Sequence, residues 1–182
     1  MKAAYLEAAG GGLTVGTLPD PRPAAGQARI RVRAAALNHL DLHVLGGNPA
    51  YKTVYPHVLA GDIAGEVLEA GPGTDLGGLK AGDRVLVAPG VSCWECPPCR
   101  AGRDNLCRTY RILGADGGWG GLAELAAVPA RNLVAIPDGM QLMVPTRSWP
   151  VLASPLFSFS TKLRIAREFL FPPAPLAEDK DE

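Results

Sequence analysis

The chain has 182 residues, with 18 Lys+Arg against 18 Asp+Glu, so its formal net charge is zero. That length suits one domain with an extension and is enough to bury a core. A balanced charge argues against nucleic acid or an anionic membrane as the main partner, and no apolar run is long enough to span a bilayer.

The start, Met1-Lys2-Ala3-Ala4-Tyr5-Leu6-Glu7, carries no apolar leader, so a reducing cytoplasm is the expected compartment. Gly10-Gly11-Gly12 has the composition of a hairpin turn. Ala28-Arg29-Ile30-Arg31-Val32-Arg33-Ala34 alternates apolar and charged residues, as a half-buried strand does. A short helix is expected from Leu40 to about Leu45, stopped by Gly46-Gly47. Further strands are expected over Ile63–Ala70, Asp83–Ala88, Leu122–Val128 and Leu133–Ile136. Short strands separated by Gly/Pro turns predict a mainly β barrel or sandwich.

The four cysteines of the chain follow as Cys93, Cys96, Cys99 and Cys107. Two C-x2-C turns and one short loop can bring four thiolates to one tetrahedral ion, with Zn–S near 2.3 Å. Four thiolates close the coordination sphere, so the zinc is expected to be structural; its lobe covers about 91–111. Two disulfides are the alternative, and they suit secreted domains. Trp94 and Trp119 are expected to pack on this lobe. Arg100, Arg103, Arg108 and Arg111 crowd it and offset thiolate charge. A nucleic-acid-binding zinc ribbon would also carry arginines, but the neutral charge and missing recognition helix argue against one.

The chain changes character near Met140. All 22 glycines lie between Gly10 and Gly139, and all four phenylalanines (Phe157, Phe159, Phe169 and Phe171) lie beyond. The expected domains are therefore 1–139 and a divergent tail, 140–182. Apolar spacing in the tail predicts one short helix about 159–170. A membrane-surface role for that basic helix ranks below simple packing.

Three segments and the cysteine spacing resemble one family, the medium-chain zinc-containing alcohol dehydrogenase and quinone reductase superfamily. The segments are Ala35-Ala36-Leu37-Asn38-His39-Leu40-Asp41, Pro56 through Val67, and Gly71-Pro72-Gly73 with Lys80 through Val85. The resemblance covers about residues 1–139. It implies a GroES-like, partly open β-barrel whose structural zinc ligands are Cys93, Cys96, Cys99 and Cys107. It also implies an NAD(P)-dependent oxidoreductase lineage acting on a small-molecule substrate.

The departures matter as much. The family's catalytic zinc takes a Cys and a His where this chain has Asn38 and Gly61, and Leu40 replaces a proton-relay hydroxyl. Asn38, Asp41 and Asp62 are the residues left at catalytic positions, unassigned in role. Asp41 and Asp62 either hold water or a substrate hydroxyl or serve as structural hydrogen-bond partners. The tail lacks a Gly-x-Gly-x-x-Gly turn, so no Rossmann domain and no cofactor-binding residue is expected in this chain. The composition break fits a chain truncated before that domain, its tail read from an altered frame. Marginal stability and self-association through uncovered strand edges are expected. A zinc-stabilised domain without catalysis is the alternative function. His39 and His43, four apart, share a helix face; surface roles are favoured over metal binding. His57, after Pro56, is expected in a loop.

Overall fold

The computed structural model describes residues 1–137. Ten strands form three sheets among these residues. The first sheet contains β1 (Lys2–Leu6), β2 (Leu13–Thr17) and β4 (His57–Val58), in the order β2-β1-β4. The second contains β3 (Gln27–Ala36), β5 (Asp62–Ala70), β6 (Arg84–Val87), β9 (Leu125–Pro129) and β10 (Leu133–Ala135), in the order β10-β6-β5-β3-β9. A two-stranded ribbon pairs β7 (Gly90–Val91) with β8 (Arg111–Ile112). Helices α1 (His39–Leu45) and α2 (Pro97–Arg100) complete the set.

β3 shows how the sequence sets the register. Ala28, Ile30 and Val32 are buried, while Arg29, Arg31 and Arg33 point the other way. A one-residue slip would bury the arginines, so the alternation fixes the pairing. Across the strand, Arg29 pairs with Glu69 at 3.1 Å and Arg33 with Glu66 at 2.9 Å. Two irregularities bend the β3–β5 ladder, one of them between Val32 and Ala34. Gly65 lies opposite Val32, where a Cβ would strike the Arg31 carbonyl. Bulges of this kind help curl a sheet.

Two cores result. Leu6, Val44, Val58 and Leu59 anchor one beneath β1 and α1. Ile30, Val32, Ile63, Val67, Val85 and Val128 anchor the other inside the five-stranded sheet. Each such side chain contributes about 1.5–3 kcal/mol of burial. Residues 122–124 join the two sheets. The Ala4 and Val32 amides donate to the Leu122 and Glu124 carbonyls at 2.7 and 2.9 Å, and the Glu124 amide donates to the Lys2 carbonyl at 3.0 Å. The result is the expected mainly β, GroES-like architecture, curled but not closed.

The chain differs from the expected elements in detail. β9 begins at Leu125, because 122–124 serve both sheets as a bridge. β1 and β2 form an antiparallel hairpin around the Gly10–Gly12 turn, with Leu6 opposite Leu13. His57 is not in a loop but in β4, and it is 2 % exposed. The tail helix expected at 159–170 lies outside the described residues. Among the described residues no helix is long and apolar enough to cross a membrane.

Candidate zinc lobe and carboxylate cleft

The cysteine loop is tied off at its neck. β7 and β8 pair Gly90 with Ile112 and Val91 with Arg111. Asn132 fastens this neck from outside, its Nδ2 donating to the Ala88 and Gly90 carbonyls at 2.6 and 2.7 Å. Within the loop, Pro97 and Pro98 preset the backbone for the first turn of α2. That turn carries Cys99 inward. A 3-10 turn over Asp104–Leu106 then places Cys107, and the Ser92 hydroxyl donates to the Asp104 carbonyl at 3.2 Å.

The four sulfur atoms all lie within 4.8 Å of one another. Cys96–Cys99, Cys93–Cys107 and Cys93–Cys99 are separated by 3.4, 3.5 and 3.9 Å. Thiolates around one tetrahedral zinc sit about 3.8 Å apart, given Zn–S near 2.3 Å, whereas a disulfide needs about 2.05 Å. The donor set therefore fits zinc, and all four cysteines are unpaired. Backbone amides support the sulfurs: Cys96 N–H donates to Cys93 Sγ and Cys93 N–H to Cys107 Sγ, both at 3.4 Å. The Cys93 N–H, with the Thr109 hydroxyl, lowers the Cys107 thiol to about 6, while desolvation pushes Cys99 up to about 12. Arg100, Arg103, Arg108 and Arg111 are all exposed on the lobe.

One of the two tryptophans corrects the expected packing. Trp94 is 37 % exposed, with the larger part of its surface covered, and its φ of 62° lies in the left-handed region. Trp119 is not on the lobe; its Nε1 donates to the Pro56 carbonyl at 2.8 Å and its ring packs on the first core. Trp94→Gly would relieve about 1 kcal/mol of backbone strain but forfeit the larger covered surface of the indole, so the variant is expected to loosen the lobe. Hydrogen exchange of residues 93–107 measures this; slower exchange in the variant would show that strain outweighs packing.

The second cluster joins the residues left at catalytic positions. Asn38 is the N-cap of α1: its Oδ1 accepts the Leu40 amide at 2.8 Å, and its own amide donates to Asp41 Oδ2 at 2.8 Å. This reciprocal pair is a capping box. The other Asp41 oxygen accepts the Ala60 amide at 2.8 Å. One carboxylate thus holds the start of α1 against the turn before β5, where Ala60 has a φ of 72°. Asn38 Nδ2 donates to Asp62 Oδ2 at 3.2 Å. So the structure brings Asn38, Asp41 and Asp62 together, and its geometry gives Asp41 a positioning role. Leu40 is part of the first core. A Cβ built at Gly61 would lie 2.6 Å from the Leu113 carbonyl oxygen, so no side chain fits there without backbone movement.

Asp41 is 4 % exposed. Burial pushes its carboxyl up from the ordinary 3.8 to about 6, against the two amide hydrogen bonds and with help from the charge of Asp62. Asp62 is also raised by burial, opposed by the Asn38 amide. Since the folded state binds the Asp41 proton more tightly than the unfolded chain, the associated stability is full below about pH 4 and is lost as pH rises through about 6. Asp41→Asn cannot titrate. The wild-type advantage over this variant is expected to be about 2–3 kcal/mol larger at pH 4 than at pH 7. Urea denaturation at both pH values measures the gap, and a gap independent of pH would refute the assignment.

Sequence reasoning missed two buried residues. His57 has a buried Nε2 without a partner, and burial lowers its pKa, against hydrogen bonds to the Gly114 and Val54 backbone. Asn132 is 2 % exposed and organises the neck. The only available signal for His57 was its place in a Pro56–Val67 segment that resembles a known family. Asn132 had no signal at all.

Residues 24–138 match the family described as the alcohol dehydrogenase GroES-like domain. Among curated relatives, the starvation-sensing protein RspB of Escherichia coli is 39 % identical over 123 residues, 66 % of this chain and 34 % of that protein. The L-galactonate-5-dehydrogenase of Escherichia coli is 35 % identical over 114 residues, 63 % of this chain and 32 % of that protein. The chain thus spans about a third of the length of these relatives. A crystal structure of an NAD-dependent alcohol dehydrogenase superposes with a TM-score of 0.71 at 42 % identity, covering 78 % of this chain and 41 % of that one. Fold, cysteine geometry and sequence match agree, and the chain belongs to the alcohol dehydrogenase GroES-like domain family, within the zinc-type dehydrogenases.

Proposed function

We propose that the chain is the substrate-side domain of an NAD(P)-dependent dehydrogenase or reductase, stabilised by one structural Zn²⁺ on Cys93, Cys96, Cys99 and Cys107, and inactive alone. The convergence of four sulfurs within 4.8 Å at the end of a tied loop carries the reading. Zinc there crosslinks the lobe and takes no part in chemistry, because four thiolates leave no open position.

The cleft supports a reaction without the family's catalytic zinc. Asn38 Oδ1 is already engaged by the Leu40 amide, and Gly61 offers no donor. Asp62, joined to the Asn38 amide, is the group left to hold a substrate hydroxyl or a water. The nicotinamide, held by a separate cofactor domain, would exchange the hydride. Residues 138–182 contain one glycine, Gly139, too few for a pyrophosphate-binding turn.

Elemental analysis of the purified, reduced chain tests the metal assignment: about one zinc per chain is expected, and none or two would overturn it. Calorimetric titration tests the division of labour. No NAD(H) or NADP(H) binding in the micromolar range is expected, and such binding would show that the chain carries its own cofactor site.

A further inference from the structure

The cysteine tetrad offers a second chemistry besides holding one ion. The sulfurs of Cys96 and Cys99 stand 3.4 Å apart, and those of Cys93 and Cys107 3.5 Å apart. These two pairs use each cysteine once. Cys93 is exposed and Cys96 half-buried, while Cys99 and Cys107 are buried. We propose that the lobe is a peroxide-sensitive switch: hydrogen peroxide converts the tetrad into two disulfides, Cys93–Cys107 and Cys96–Cys99, and the zinc is expelled. This switch rests on the zinc assignment above.

Access and proximity set the order of events. Cys93 is the sulfur that an oxidant arriving from solvent meets first. Its thiolate attacks one peroxide oxygen, the O–O bond breaks and hydroxide leaves, so Cys93 becomes a sulfenic acid. The Cys107 thiolate then attacks the Cys93 sulfur, the S–O bond breaks and a second hydroxide leaves. The pair gives two electrons to one peroxide, and both hydroxides take up solvent protons to become water. A second peroxide oxidises Cys96 and Cys99 in the same way. A sulfenic acid with a thiolate beside it condenses before further oxidation, so the pairing guards against irreversible sulfinic acid. The thiolate is the metal ligand, and each disulfide removes two of them.

The surrounding chain permits both bonds. The Cys93 amide already donates to Cys107 Sγ at 3.4 Å, so the two segments touch before any bond forms. The β7–β8 neck holds the ends of the loop together. C-x2-C is a spacing that redox-active disulfides use, and Pro97 and Pro98 fix the backbone between Cys96 and Cys99. The change stays local, since neither main core draws on a residue between Ser92 and Arg111. Both sheets therefore stay folded, and a dithiol with zinc restores the lobe.

Titration of the full, zinc-loaded chain with hydrogen peroxide tests the switch. Against a control without peroxide, a chromogenic chelator is expected to register about one zinc released for about two peroxides consumed. Cleavage at Glu95 and the lobe arginines separates Cys93, the Cys96–Cys99 peptide and Cys107. Mass mapping without reductant is expected to find the two named disulfides in about tenfold excess over other pairings. Dimedone, which traps sulfenic acids, is expected to label Cys93 first. Dithiothreitol with added zinc is expected to return hydrogen-exchange protection across 92–110. Zinc retained at excess peroxide, a different pairing, sulfinic acids in place of disulfides, first labelling elsewhere or no recovery would each overturn the switch and leave the zinc assignment standing. A reduced chain that carries no zinc before peroxide is added would overturn both.

Discussion

Removing zinc with a chelator is expected to melt residues 92–110 while both sheets stay folded. Binding of structural zinc by cysteine sites is worth about 10–16 kcal/mol in small peptides at neutral pH, far more than the lobe can recover by packing. The lobe buries little: Trp94, Leu106 and Tyr110 are exposed. The two main cores draw on no residue between Ser92 and Arg111. The neck should survive, because β7–β8 pairing and the two Asn132 hydrogen bonds do not depend on the cysteines. Cys96→Ser should produce a milder version, a hydroxyl replacing one thiolate. Hydrogen exchange with and without chelator reads the outcome. Unchanged protection across 92–110 would mean that the lobe stands without metal; loss of protection in β3 and β5 would mean that the lobe is not separable.

Gly120→Ala is expected to destabilise the fold by about 3 kcal/mol or more. Residues 120–122 run against 58–60, with the Gly120, Gly121 and Leu122 amides donating to the Val58, Ala60 and Leu59 carbonyls at 2.7, 2.7 and 3.1 Å. A Cβ at Gly120 would overlap the carbonyl oxygens of Leu59 and Ala60. These are backbone atoms, so no rotamer change relieves the clash. The segments must part, and each buried hydrogen bond lost costs about 1 kcal/mol or more. Gly12→Ala is the control, since its Cβ would meet nothing within 4 Å; its urea midpoint should stay close to wild type. A Gly120→Ala midpoint equal to that of the control would show that this crossing is looser than described.

The parts of this architecture legible in the sequence are those whose information is local. β3 is long enough for alternation to show, β5 is a mostly buried run closed by Gly71-Pro72-Gly73, and the cysteine spacing encodes a compact loop directly. β4, β7 and β8 have two residues each, too few for any period. β2 was hidden for another reason. Its Leu13 and Val15 are exposed, so its pattern does not report a buried face. The cleft was half visible. Asn38, Asp41 and Asp62 could be named from the resemblance, but the bond from the Ala60 amide to Asp41 spans 19 residues and follows from the fold alone. Burial of His57 and the clamp at Asn132 depend on contacts still more distant in sequence.

The bridge at 122–124 also sets a schedule for synthesis. The Lys2 amide donates to the Glu124 carboxylate, 122 residues away, and β1 and β3 both bond to the same late segment. A ribosome adding about 5–20 residues per second leaves the N-terminal hairpin waiting roughly 5–21 s for that partner. In the interval β1 has β2 on one flank; on the other, β4 covers Tyr5 and Leu6 once it emerges, and residues 2–4 remain an open edge. Such an edge is a template for pairing with a neighbouring chain. Folding of this domain is therefore expected to be decided late and at a distance, with nascent chains most vulnerable to mispairing just before Glu124 emerges.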